Sequence, residues 1–198
     1  MRLFVAVDLS TEIKDKINGL LQKIVKTNAD VKWVKPENIH ITIKFLGEVE
    51  EKKVDIINCK LKETVSFFPV FDVNVRGVGS FPDWKNPRVI WIGIDRGKEE
   101  LKKLVETTEE IFHKELGFKK EERDFNAHIT IARVRSFDNI SKLKEVMDAS
   151  DSEFGRFKVK ELILMNSKLT PEGPIYVPIS RFSLVSGNNG VRVIFTPV

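Results

Sequence analysis

A chain of 198 residues with 41% hydrophobic and 31% charged side chains is long enough to bury one substantial core, and is neither disordered nor a coiled coil. A net charge of +4 and a pI near 9.1 lean mildly towards an anionic partner. A single cysteine, Cys59, excludes an internal disulfide framework and a cysteine-based zinc site, and the longest apolar runs, such as Val89–Ile94, fall far short of a membrane-spanning helix.

The opening MRLFVAVDLS has one basic residue and no small-residue cleavage site, so a cytoplasmic protein is expected. The one glutamine, Gln22, beside many lysines and glutamates leans weakly towards a thermophile. Residues 2–8 read as a strand. Ser10 or Thr11 then caps a helix whose apolar face is Ile13, Ile17, Leu20, Leu21, Ile24 and Val25. An extended piece at Val31–Val34 and a turn at Pro36-Glu37-Asn38 lead into a strand over His40–Leu46. A second helix is expected over 51–65, with Val54, Ile57, Leu61 and Val65 inward and Cys59 packed as a small apolar residue. Phe71–Val78 and Val89–Ile94 read as strands around a Pro- and Asn-rich loop. A helix over 98–116 stops at Gly117. His113, in that helix's last turn, has a structural reading, since a histidine there favours the helix dipole. His128–Val134 is a strand and 139–149 a short helix. Strands near 156–166 and 175–186 flank a turn at Thr170–Pro174. Strands and helices mix without strict alternation, which predicts an α+β fold with largely antiparallel sheet.

One internal repeat carries chemistry. Residues 40–43 and 128–131 both read His-Ile-Thr-Ile, nearly half a chain length apart, and the chain has only three histidines. On a strand, residues i and i+2 share a face. Each copy therefore buries two isoleucines and offers an imidazole with a hydroxyl: His40 with Thr42, and His128 with Thr130. If the halves pack about a pseudo-two-fold axis, both pairs face one cleft. Two imidazoles can divide general acid and general base work near neutral pH, and threonine hydroxyls can donate to phosphate oxygens. That set suits displacement at phosphorus without a covalent intermediate. A metal site on the two histidines is the alternative, but neither motif has an obvious third ligand beside it. A purely structural role for both is the other.

At this point the chain resembles the two-histidine phosphoesterases, and within them the RNA 2′,3′-cyclic phosphodiesterases, long named the 2′-5′ RNA ligase family. The resemblance lies in RLFVAVDL at the start, Trp33 followed by ENIHITIKFLGEV, RGVGSFPDWKNPRVIWIGI, HITIARV, and SKLTPEGPIYVPISRFSL, in that order over nearly the whole length. It implies one bilobal domain over residues 1–198, with two similar lobes of largely antiparallel sheet, helices on the outer faces, one motif in each lobe, and the active-site cleft between them. It places His40 and His128 on the catalytic histidines, and Thr42 and Thr130 on phosphate-binding hydroxyls. It places Arg133 on an arginine that contacts the phosphate, a task suited to a permanently charged, forked donor. One departure is visible. The family usually has proline before the second histidine, where this chain has Ala127.

The implied activity is metal-independent hydrolysis of RNA 2′,3′-cyclic phosphate ends to 2′-phosphomonoesters, with His128 as proton acceptor, His40 as proton donor, and no cofactor. The motif pattern alone leaves those two roles symmetric. Joining such ends to 5′-hydroxyl ends, as a 2′-5′ RNA ligase, uses the same site in reverse. A non-catalytic RNA-binding module is the third reading, for which paired histidines are superfluous. The expected partners are RNA ends, tRNA fragments or cyclic nucleotides, met by a monomer away from membranes. Lys44, Arg76, Arg133 and Arg135 are candidates for the RNA backbone. Phe45, Phe81, Trp84 and Phe125 are candidates for base stacking, with Phe125 and Trp84 favoured because one adjoins a motif and the other sits in a loop.

Overall fold

A computed structural model describes residues 1–171 and 173–186. The strands are β1 (Arg2–Asp8), β2 (Val31–Trp33), β3 (His40–Glu48), β4 (Phe71–Phe81), β5 (Val89–Arg96), β6 (His128–Val134), β7 (Glu153–Val159), β8 (Glu161–Thr170) and β9 (Gly173–Ser183). The helices are α1 (Thr11–Ile24), α2 (Val54–Ser66), α3 (Lys98–Leu116) and α4 (Ile140–Asp148). The fold is α+β. All strand pairings named here are antiparallel, in the order β7-β4-β5-β6-β3-β1-β8-β9, with β2 also paired to β6.

This order is two four-stranded halves joined at the middle, where β3 and β6 meet through the register pair Ile41 and Ile129. Both isoleucines are fully buried, each worth about 1.5–3 kcal/mol of transfer free energy. The lobes are interleaved in sequence. The runs β1-α1-β3-α2 and β5-α3-β6-α4 repeat one pattern, and each first helix crosses over: α1 leaves β1 to pack on β7 and α4, while α3 leaves β5 to pack on β3 and α2.

The sheet is curled. Only Lys160 separates β7, one sheet edge, from β8, which lies near the other. A one-residue link between them demands that the edges approach, and Pro69 bridges Val185 beside that closure. The sequence reading of one strand over 156–166 is corrected here to two strands. No glycine or proline marks the break, so apolar alternation runs through it unpunctuated.

Helix α1 starts as its sequence dictates. Ser10 is the N-cap, its hydroxyl accepting from the Ile13 N–H at 3.4 Å, and Ile13, Ile17, Leu20, Leu21 and Ile24 are buried. Val25 is exposed instead of inward, because the helix tightens there into a 3-10 turn over Val25–Thr27. Cys59 is also exposed. It lies two residues from both Ile57 and Leu61, on the side of α2 opposite its buried stripe.

Candidate active site

Each motif strand carries the same irregularity. Along β1 and β3, Thr42 pairs with Ala6 and Lys44 with Val5, so Ile43 is an extra residue. Along β5 and β6, Thr130 pairs with Trp91 and Ala132 with Ile90, so Ile131 is an extra residue. A bulge resets the period-two alternation. His40, Thr42 and Phe45 consequently share one face with Asp8, Ala6 and Phe4, and His128, Thr130 and Arg133 share one with Gly93, Trp91 and Val89. Strict alternation would have turned Arg133 away from His128.

The same bulge turns Lys44 away from the motif face, correcting its expected place on an RNA path. Its ammonium is buried on the helix side, 2.5 Å from Glu109 of α3 and 3.1 Å from the Lys119 carbonyl. Arg76, another expected backbone contact, is 4.0 Å from Asp95 and 3.5 Å from Glu153.

The two imidazoles are held alike. His40 Nδ1 lies 2.7 Å from the Asn38 carbonyl, and His128 Nδ1 lies 2.7 Å from the Asn126 carbonyl. A carbonyl only accepts, so Nδ1 carries the proton in each neutral ring and Nε2 carries the reactive lone pair. His40 Nε2 is 3.0 Å from the Thr42 hydroxyl, which donates to it when the ring is neutral.

Aromatic rings back both. His40 packs 5.0 Å from Phe4 and 5.4 Å, edge-on, from Tyr176. His128 meets the Phe81 ring at 5.0 Å and 88°, and Phe81 lies 5.1 Å from Trp91. Gly79 makes this wall possible: a Cβ there would fall 2.3 Å from an indole carbon of Trp91. Burial holds the pKa of His40 below its ordinary value, against the Asn38 carbonyl and Asp8; Lys14 and His128 push the same way as burial. Burial also lowers His128, opposed by the Asn126 carbonyl and assisted by the charge of Arg133.

The structure therefore brings His40, Thr42, His128, Thr130 and Arg133 onto the motif-bearing face at the junction of the lobes. The favoured stacking residues fare differently. Trp84 packs on the core with the Lys144 ammonium of α4 5.9 Å from its ring centre, and Phe125 is half-buried against the core in the approach to His128. Phe81 reaches His128, and Phe45, 66% exposed, extends the aromatic row at 6.1 Å from Phe4. Sequence reasoning missed Tyr176, Phe4 and Trp91, which arrive on other strands, and Lys32, which pairs with Arg133 from β2. It also missed that the repeat extends upstream: an asparagine stands two residues before each histidine, at Asn38 and Asn126. His113 is far from this chemistry in role, its Nδ1 capping the Phe118 carbonyl at 2.9 Å beyond the end of α3.

Among the described residues no group of three or more His, Cys, Asp or Glu side chains is arranged to hold a metal ion, and no helix is long and apolar enough to cross a membrane.

The family model described as LigT-like phosphoesterase matches this chain twice in tandem, over residues 7–91 and 92–176. The RNA 2′,3′-cyclic phosphodiesterase of Archaeoglobus fulgidus is 42% identical over 186 residues, spanning 92% of this chain and 99% of that protein. That of Methanocaldococcus jannaschii is also 42% identical over 186 residues, spanning 92% and 100%. Among solved structures, the crystal structure of TT0787 from Thermus thermophilus superposes with a TM-score of 0.77 at 27% identity, covering 95% of this chain and 100% of that one. The tandem match agrees with the two motif strands and their shared bulge, and the chain belongs to the LigT-like phosphoesterase family.

Proposed function

We propose that this chain hydrolyses 2′,3′-cyclic phosphate ends of RNA to 2′-phosphomonoesters, with His128 as general base and His40 as general acid. The observation that carries the reading is the paired geometry: two imidazoles, each with Nδ1–H fixed by the asparagine carbonyl two residues before it, beside Thr42, Thr130 and Arg133 on one face. The two relatives at 42% identity bear the name of this activity.

Neutral His128 takes a proton from water through Nε2 as the water oxygen bonds to phosphorus. The bond from phosphorus to the 3′-oxygen breaks, and that oxygen takes a proton from Nε2–H of protonated His40. The 2′-ester remains. Thr42, Thr130 and Arg133 hold the non-bridging oxygens as charge shifts onto them. Each proton transfer contributes roughly 10²–10⁴-fold. The low histidine pKa values fit the base directly. The acid gains its proton when the substrate anion enters, because a nearby negative charge favours the imidazolium.

The test is product analysis on an oligonucleotide ending in a 2′,3′-cyclic phosphate, run with and without a 5′-hydroxyl oligonucleotide and after dialysis against a chelator. A 2′-phosphomonoester in all arms supports the reading. A lengthened product instead assigns ligation, and no conversion removes the phosphodiester reading.

A further inference from the structure

We infer that Tyr176 is a further substrate contact, its phenol O–H donating a hydrogen bond to the phosphate group held between the lobes. The inference rests on the reading of this face as a phosphodiester site.

Tyr176 stands on β9 opposite Ser167 of β8, and its ring lies edge-on to Phe4 at 4.8 Å and to His40 at 5.4 Å. Its strand is fastened to the motif by one residue. The Asn38 side chain donates to the Pro174 carbonyl at 2.8 Å, while the Asn38 backbone carbonyl holds His40 Nδ1 at 2.7 Å. Asn38 is itself buried. The phenol and the imidazole are therefore set against each other by a shared anchor.

The ring is clamped, yet among the described residues the phenol oxygen has no hydrogen-bond partner, and it feels the positive charges of Arg133 from the other lobe and Arg2 of β1. His40 is the titratable ring packed against it. A neutral donor packed against Phe4 and His40, in the field of two guanidinium charges, is suited to an oxygen-rich anion. The phosphate that Arg133 is proposed to hold supplies one. Burial raises the phenol's pKa, which keeps the proton on the oxygen over the working range.

The test removes only the hydroxyl. Tyr176→Phe keeps the ring against Phe4 and His40. The expected result is a fall of about 10–100-fold in kcat/KM on an RNA 2′,3′-cyclic phosphate, the range for one hydrogen bond to a charged group, with an unchanged thermal melt. The chain has a single tyrosine, so the tyrosine Fermi doublet in the Raman spectrum reports Tyr176 alone. Adding adenosine 2′-monophosphate to the wild-type protein should move that doublet towards a strong hydrogen-bond donor, a change that a packing role does not produce. A Tyr176→Phe variant within twofold of wild type overturns the inference. So does an unchanged doublet with the nucleotide shown bound by calorimetry. Wild-type protein without turnover on the cyclic phosphate removes the functional reading instead, and the Raman titration then still decides whether Tyr176 meets phosphate.

Discussion

Phe45 and Arg133 occupy equivalent places in the two lobes: each follows its motif histidine by five residues, and in each strand a bulge at the intervening isoleucine turns it onto the histidine's face. The equivalence is geometric and the chemistry is opposite. One lobe offers an exposed aromatic ring beside the more deeply set His40, the other a guanidinium beside His128. On the proposed reading, the guanidinium side meets the phosphate and the aromatic side the base.

Substitution at these two positions should give distinct kinetic signatures. Arg133→Gln loses charge-assisted bonds to the phosphate, and kcat/KM should fall by roughly 10–150-fold on any cyclic phosphate, with or without a base. Phe45→Ala should weaken nucleotide substrates by about 1–3 kcal/mol through lost stacking, yet leave ribose 2′,3′-cyclic phosphate unaffected. Steady-state kinetics on a nucleotide and on the base-free ester checks this. An equal loss on both substrates for Phe45→Ala contradicts a stacking role.

Rate against pH should be bell-shaped, with the rising limb of kcat/KM below the ordinary histidine value of 6.5, since burial lowers both imidazoles in the free protein. The limb belonging to the enzyme-substrate complex should lie higher, because bound phosphate favours the imidazolium. His128→Ala should lose the rising limb and His40→Ala the falling one.

Those lowered values also bear on stability. Below about 6.5 the unfolded chain binds protons at both histidines that the folded chain refuses, so stability is complete above that pH and declines as pH falls towards the folded-state values. His40→Asn should soften the fall in melting temperature between neutral and mildly acid solution. Parallel curves for the variant and the wild type would show that His40 carries none of that dependence.

An activated ester, with a leaving group that departs without protonation, separates the two histidine roles. It should restore His40→Ala much more than His128→Ala, because only the acid becomes dispensable. Rescue of His128→Ala instead would exchange the assignments.

Lys44 ties the first motif strand to α3 and to the segment that leads on to His128: its ammonium meets Glu109 and the Lys119 carbonyl, and Glu109 accepts the Glu121 N–H at 3.4 Å. Lys44→Met leaves a largely buried carboxylate unpaired and should cost about 3–5 kcal/mol, with much of that regained in Lys44→Met/Glu109→Leu. Denaturant midpoints for the single and double variants measure it. A single variant as stable as wild type would mean that the buried pair contributes nothing net.

The amino-acid sequence by itself determined the elements and the motif. The period of Ile13, Ile17, Leu20 and Ile24 specifies α1, the alternation at 2–8 and 128–134 specifies β1 and β6, and a repeated His-Ile-Thr-Ile among only three histidines singles out the proposed catalytic pair. These are local or recurrent signals, legible because a helix or strand imposes its period on neighbours in the chain. Tertiary structure decided whatever depends on a partner strand. Ile43 and Ile131 look like any alternating isoleucine, and only pairing against β1 and β5 makes them bulges that send Lys44 inward and Arg133 outward. Trp84 reads in the sequence as a loop aromatic, and only the tertiary structure sets Lys144 of α4 beside its ring. Tyr176, Phe4 and Lys32 carry no motif of their own. They reach the motif face because β1 pairs with β3, β9 pairs with β8 beside β1, and β2 pairs with β6, which are contacts between segments far apart in sequence.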